Sequence, residues 1–130
     1  MKREFRTEEL TGAELDYFVA KALADRMVRI VGTEEHKRCE ARFGEQWSWD
    51  RFSPSSAWAH CGPLVQRERI NLNAPGPMGF PDPKKLWCAF IDTGSFAGSK
   101  AWFGATALEA ACRAYVALKL GSVVTYTPSE

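Results

Sequence analysis

No apolar run in this 130-residue chain approaches the ~18 residues that a membrane-spanning helix needs, and no secretory h-region follows Met1. Charge of one sign is also missing. Seventeen Lys and Arg stand against sixteen Asp and Glu, for a formal charge of +1. Lys2, Arg3 and Arg6 make a small basic start, offset by Glu4, Glu8 and Glu9. Strong duplex nucleic-acid binding rests on clustered cations that release counterions, and none is expected here. The cysteines Cys39, Cys61, Cys88 and Cys112 are widely spaced and form no C-x-x-C pair. Reduced thiols and a cytoplasmic setting are the simplest expectation. Internal repeats and low-complexity segments are absent, and the length is that of one domain with its own core.

The residues present predict alternating helices and strands. Leu15, Phe18, Val19, Ala22 and Leu23 recur at helical spacing and predict a helix over Gly12–Ala24. Thr11 and Glu14 have the spacing of a capping box at its start. Asp16, Lys21 and Asp25 lie off the apolar stripe, as a solvated face with a Lys21–Asp25 pair. Met27–Val31 alternates as a short strand, and the polar stretch from Gly32 to Gln46 reads as a connecting loop. Ser53-Pro54 offers an N-cap followed by proline at a helix start, and Gly62 suits the residue past a helix end. Pro63 to Arg69 is then a second short helix, or the same one continued through a kink. Ile70–Leu72 begins a strand. Ala74 to Lys84, dense in Pro and Gly, is a long loop, either a lid or simply long. Leu86–Ile91 is the clearest strand, Thr93–Gly98 a turn, and Lys100–Phe103 its antiparallel partner. A second capping box, Thr106 with Glu109, opens a helix that runs to Leu120 and stops at Gly121. That helix is apolar nearly all round, so the sheet and another element bury it on several sides, or it joins a subunit interface. The pattern is α+β: a small, mostly antiparallel sheet with helices packed around it.

Chemistry centres on Trp47 to Leu64, where three tryptophans, Phe52 and several serines are concentrated. His36 with Cys39, and His60 with Cys61, supply metal-ligand types without the separated chelating pairs of a structural zinc site, and no metal or cofactor is expected. Ser53, Ser55, Ser56, His60, Cys61 and Asp50 supply the residue types of a small hydrolase, but no nucleophile elbow accompanies them. A serine at a helix start is more often a cap. Gly94 to Lys100 lacks the spacing and the Ser or Thr of a phosphate loop. Aromatic rings beside donors can stack a flat ligand. Trp58 is expected to anchor the core, and Trp47 and Trp49 beside Arg51, if exposed, would suit a protein-binding hot spot. Arg113 is either paired with Glu109 or a buried cation awaiting an anion.

Three segments, LTGAELDYFVAKA (Leu10 to Ala22), FSPSSAWAHCGPLVQRERINL (Phe52 to Leu72) and GATALEAACRAYVALKLGSVV (Gly104 to Val124), together resemble the NinX-like proteins of tailed phages. The chain is also similar to the phage ABA-sandwich domains, which implies α-β-α layering. It departs from the family pattern at Phe52, where a tyrosine is usual, and at Cys61-Gly62, where two glycines are. The resemblance brings no established activity. It implies a phage accessory protein that acts in the cytoplasm of the infected host and is dispensable for virion assembly. Combined with the residues, it leads to the expectation of a non-enzymatic binder of a small anionic or nucleotide-like ligand. Ser53, Ser55 and Ser56 would offer hydroxyls and amides, Trp58 and Tyr115 stacking, and Arg113 and Lys119 charge. The competing expectation is an interaction module that modulates a host protein, or a homo-oligomer through the C-terminal helix.

Overall fold

The computed structural model describes residues 2–44, 48–75, 86–92 and 100–127. Trp47, most of the 74–84 loop and the turn at 93–98 therefore lie outside the described residues. In chain order the elements are β1 (Arg3–Arg6), a 3-10 turn (Thr7–Glu9), α1 (Gly12–Leu23), β2 (Arg26–Val31), β3 (Arg38–Phe43) and β4 (Asp50–Arg51). There follow α2 (Trp58–Glu68), β5 (Ile70–Asn73), β6 (Trp87–Ile91), β7 (Trp102–Gly104), α3 (Ala107–Leu120) and β8 (Val123–Tyr126). The class is α+β as expected, and every strand pairing among the described residues is antiparallel. The strands divide among three small sheets, ordered β1-β8, β2-β3-β4 and β5-β6-β7. None of the described helices is long and apolar enough to cross a membrane.

Helices α1 and α3 pack against each other; α1 covers β2 and β3, while α3 covers β5, β6 and β7. Leu15, Phe18 and Val19 of α1 and Ala110, Ala111 and Ala114 of α3 are buried where these layers meet. The small alanines let the backbones approach, and each fully buried Leu, Val or Phe contributes about 1.5–3 kcal/mol. The apolar circumference of α3 is explained by this position, between α1, α2 and a sheet. Its last turn emerges, leaving Leu118 and Leu120 exposed.

Capping differs between the two predicted boxes. At α3 the Thr106 hydroxyl accepts from the Glu109 amide at 3.1 Å, and the Glu109 carboxylate reaches back to the Ala105 amide, also at 3.1 Å. At α1 neither half of the box forms: the Thr11 side chain makes no cap bond, and the Glu14 carboxylate pairs with Lys37 in the segment before β3. The Lys21–Asp25 pair does not form either: Asp25 binds the neighbouring Arg26 at 2.7 Å, and Lys21 lies over the Tyr17 ring.

The stretch read as a loop from Gly32 to Gln46 contains β3. Cys39 and Ala41 face the core and alternate with Arg38 and Arg42, a period-two signal over a run too short and too charged to stand out. Gly32 turns the chain with φ of 104°, and a Cβ there would lie 2.3 Å from the His36 carbonyl oxygen. The terminal pair β1-β8 was not anticipated. Thr7 secures it, donating its hydroxyl to the Gly121 carbonyl at 2.7 Å and its amide to that of Ser122 at 2.9 Å.

Candidate functional site

Helix α2 begins later than the sequence suggests and runs unbroken to Glu68, the continued form of the two alternatives. Residues Pro54 to Ser56 form a turn, with the Ser56 and Ala57 amides both donating to the Ser53 carbonyl. The helix then starts at Trp58, with Ala57 at the cap and no side-chain cap bond. Ser53 is therefore a turn residue, not a cap. Gly62 and Pro63 lie inside one continuous helix, whose end falls at Arg69 in a left-handed conformation, φ 55°. Pro63 cannot donate to the Ala59 carbonyl and its ring crowds that carbonyl, so the helix continues through this point at a cost.

Asp16 locks this turn to α1. Its carboxylate accepts from the Ser55 amide at 2.8 Å and from the Ser55 hydroxyl. Far from lying on a solvated face, Asp16 is only 5% exposed, because the turn covers that side of α1. Burial pushes its carboxyl up to about 6, against the opposing pull of the Ser55 hydrogen bonds and the charge of Arg51. Two residues earlier, the Ser53 amide donates to His60 Nδ1 at 2.9 Å, which leaves the ring proton on Nε2. The His60 ring stacks on Phe52, with centroids 5.4 Å apart and planes 26° apart. The Phe52 amide in turn donates to the Cys39 carbonyl at 3.0 Å.

These contacts build one wall of a cleft between α2 and the β2-β3-β4 sheet. Its volume is about 440 Å³, within the usual range for small-molecule sites. Arg26 lies across its floor, with its guanidinium carbon 4.0 Å from the centre of the Phe43 ring and 4.9 Å from that of Phe52. His60, Pro63 and Arg67 face it from α2, and Asp50 and Arg51 from β4. Arg26 is paired with Asp25, and Arg67 with Glu68 at 2.8 Å. The Arg51 side chain has neither a hydrogen bond nor an ion pair among the described residues; its charge reaches Asp16 only at a distance and is open to a ligand.

None of the seven residues selected from the sequence as ligand contacts lines this cleft. Ser53 and Ser55 support its wall through their amides, as described. Ser56 is exposed on the turn, and Trp58 is 56% exposed, so it anchors no core; it begins a helix whose buried side is carried by Cys61 and Leu64. Tyr115 is buried, accepting from Arg67 at 3.3 Å and facing the Ala22 carbonyl at 3.5 Å. Arg113 donates to the Leu10 carbonyl at 3.0 Å and the Phe103 carbonyl at 2.7 Å, and pairs with Glu109 at 3.2 Å. Lys119 is exposed on the last turn of α3. The serines and Trp58 stand at the start of α2, whereas Tyr115 meets Arg67 near its end, roughly 13 Å further along a helix rising 1.5 Å per residue. The two groups do not converge on one pocket.

His60 Nδ1 accepts from the main-chain amide of Ser53 and not from a serine hydroxyl. Cys39 is inert: burial, then the charges of Asp16 and Glu40, push its thiol up to about 12. Cys61 and Cys112 are both buried in the core, where their mutual contact holds the Cys112 thiol well above its ordinary value and draws that of Cys61 below it. No group of three His, Cys, Asp or Glu among the described residues is placed to hold a metal ion. The cleft residues Arg26, Phe43 and Arg67 were missed because they belong to a strand end, an unpredicted strand and a helix face, with no shared sequence motif.

Compared with protein families, residues 6–119 match the family model described as Bacteriophage P22, NinX. No curated protein matches the chain by sequence.

Proposed function

Because the chain belongs to the bacteriophage P22 NinX family, we propose that it is a phage accessory protein acting in the host cytoplasm as a non-enzymatic binder. The ligand class is small, anionic and ring-bearing, as a nucleotide is, and the site is the cleft between α2 and the β2-β3-β4 sheet. One observation carries this reading: the unpaired Arg51 stands at the rim of a cavity floored by Arg26, Phe43 and Phe52 and flanked by His60. A flat ring gains from the aromatic and guanidinium faces, and an anionic group gains from Arg51 and from the Nε2 proton of His60. The ligand class sought from the sequence is kept, while the contacts proposed for it pass from Ser53–Trp58 and α3 to β2, β3, β4 and the inner face of α2.

The test is a thermal-shift screen of the purified chain against mononucleotides, cyclic oligonucleotides and NAD-derived molecules, followed by calorimetric titration. A ligand at a hundred times its Kd stabilises the native state by about 2.7 kcal/mol, a Tm rise of several degrees. Arg51→Ala is expected to weaken binding by about ten-fold or more, the loss of one charge-assisted hydrogen bond. A ligand that binds equally well to Arg51→Ala and Phe43→Ala places the site elsewhere. Silence across the anionic panel refutes the reading.

A further inference from the structure

A second surface lies on the opposite side of the same sheet. The register of β2 on β3 sets Met27 opposite Arg42, Arg29 opposite Glu40 and Val31 opposite Arg38. Strand alternation turns these six residues away from Cys39 and Ala41, which are in the core. Trp49 lies over this outer face, its ring centre 4.1 Å from the Arg29 guanidinium carbon and 5.2 Å from that of Arg42.

The charges here are unbalanced in one place. Arg29 and Arg38 share the carboxylate of Glu40, at 2.7 and 3.1 Å. Arg42 has no carboxylate among the described residues. Its Nε is buried without a hydrogen-bond partner, and among the described residues one of its terminal nitrogens meets the Met27 sulfur, at 3.0 Å. A thioether is a weak acceptor, so this guanidinium is held in place by Trp49 and left without the oxygen acceptor its geometry calls for.

We propose that this outer face of β2 and β3 is a docking surface for an acidic segment of a partner protein, one of whose carboxylates completes Arg42. A carboxylate arriving from outside can meet the two terminal nitrogens through two parallel hydrogen bonds, while Nε stays enclosed. Met27, 54% exposed, and the half-buried Trp49 supply apolar area beside that contact, and Trp, Met and Arg are the residues enriched in protein interfaces. A nucleic acid fits less well. Its phosphates would run over Glu40 at the middle of the face, and a chain of net charge +1 offers no track of cations.

The experiment uses the full 15N-labelled chain, with the Trp49 indole resonance assigned through Trp49→Phe. The probes are a short peptide alternating glutamate and valine, its lysine–valine counterpart and a short oligothymidylate. Saturable shifts at Met27, Arg42 and the Trp49 indole with the glutamate peptide alone are expected. Arg42→Gln should weaken that binding by about ten-fold or more, and Arg42→Lys, which keeps the charge but not the fork, should not restore it. If Arg42→Gln fails to fold, Trp49→Phe takes its place, and unchanged affinity in that variant overturns the proposal. So does an equal response to the lysine peptide, a response to oligothymidylate in place of the glutamate peptide, or no response to any probe.

Discussion

Replacing Asp16 with Asn should remove part of the pH dependence of stability. The carboxyl has an ordinary value of 3.8 and is pushed up to about 6 in the folded chain, burial being the largest cause. Between those values the native state holds a proton that the unfolded chain has released. The contribution of this group to stability is therefore fully present below pH 3.8, fades as pH rises through the window, and is gone above about 6. At 1.36 kcal/mol per pH unit, integration from pH 4.5 to 7 gives a loss of roughly 2 kcal/mol for Asp16 alone. Asn keeps the shape and an acceptor for the Ser55 amide but does not titrate. Urea unfolding of both proteins across that range isolates the effect, because every other group cancels in the difference. Wild type is expected to lose roughly 2 kcal/mol relative to Asp16→Asn as pH rises. The offset between the two curves depends on how well the amide replaces the carboxylate; their slope does not. A difference that stays flat with pH would refute the desolvation argument. A difference of opposite sign would mean that the Ser55 hydrogen bonds and Arg51 outweigh burial.

Two further substitutions test how the helices are tied in. Arg113→Ala removes a guanidinium that is 11% exposed and joins α3 to the Leu10 and Phe103 carbonyls and to Glu109. It should lower stability by roughly 2–4 kcal/mol, read as a drop in the urea midpoint, whereas a folded variant of unchanged midpoint that has lost only ligand affinity would mark Arg113 as a binding residue. Gly104→Ala places a Cβ 2.6 Å from the Ala110 amide nitrogen and 3.0 Å from the Glu109 carbonyl carbon. The main chain of α3 must shift off β7, at a cost on the order of 1–3 kcal/mol, and a Tm unchanged from wild type would show that the contact yields freely.

Legibility in the sequence followed the strength of local pattern. Helix α3 was readable almost to the residue because cap, composition and stop all lie within sixteen consecutive positions, Thr106 to Gly121. Strand β6 stood out as a short aromatic and apolar run. Where a residue has two possible partners, local reading failed. Glu14 has the spacing to close a cap on Thr11, yet a lysine more than twenty residues away takes it. Asp16 sits on the polar side of its helix by periodicity, yet the turn at Ser55, thirty-nine residues on, buries it. Trp58 has the bulk of a core anchor but falls on the outer side of α2.

The candidate cleft has the same character. Composition pointed to rings, cations and hydroxyls near residues 47–64, and Phe52 and His60 do belong to it. Its other contacts are supplied by the start of β2, the end of β3, β4 and the inner face of α2, which no spacing along the chain connects. By itself, then, the sequence determined the α+β class, the helices at both ends of the chain, and the kinship with phage NinX proteins. These depend on periodicity, capping and short motifs, all local along the chain. Only the tertiary structure decided which polar groups are buried, which tryptophan is exposed and where a cavity lies. Those depend on long-range contacts, and hydrophobic burial, being non-directional, leaves their choice to the packing of the whole chain.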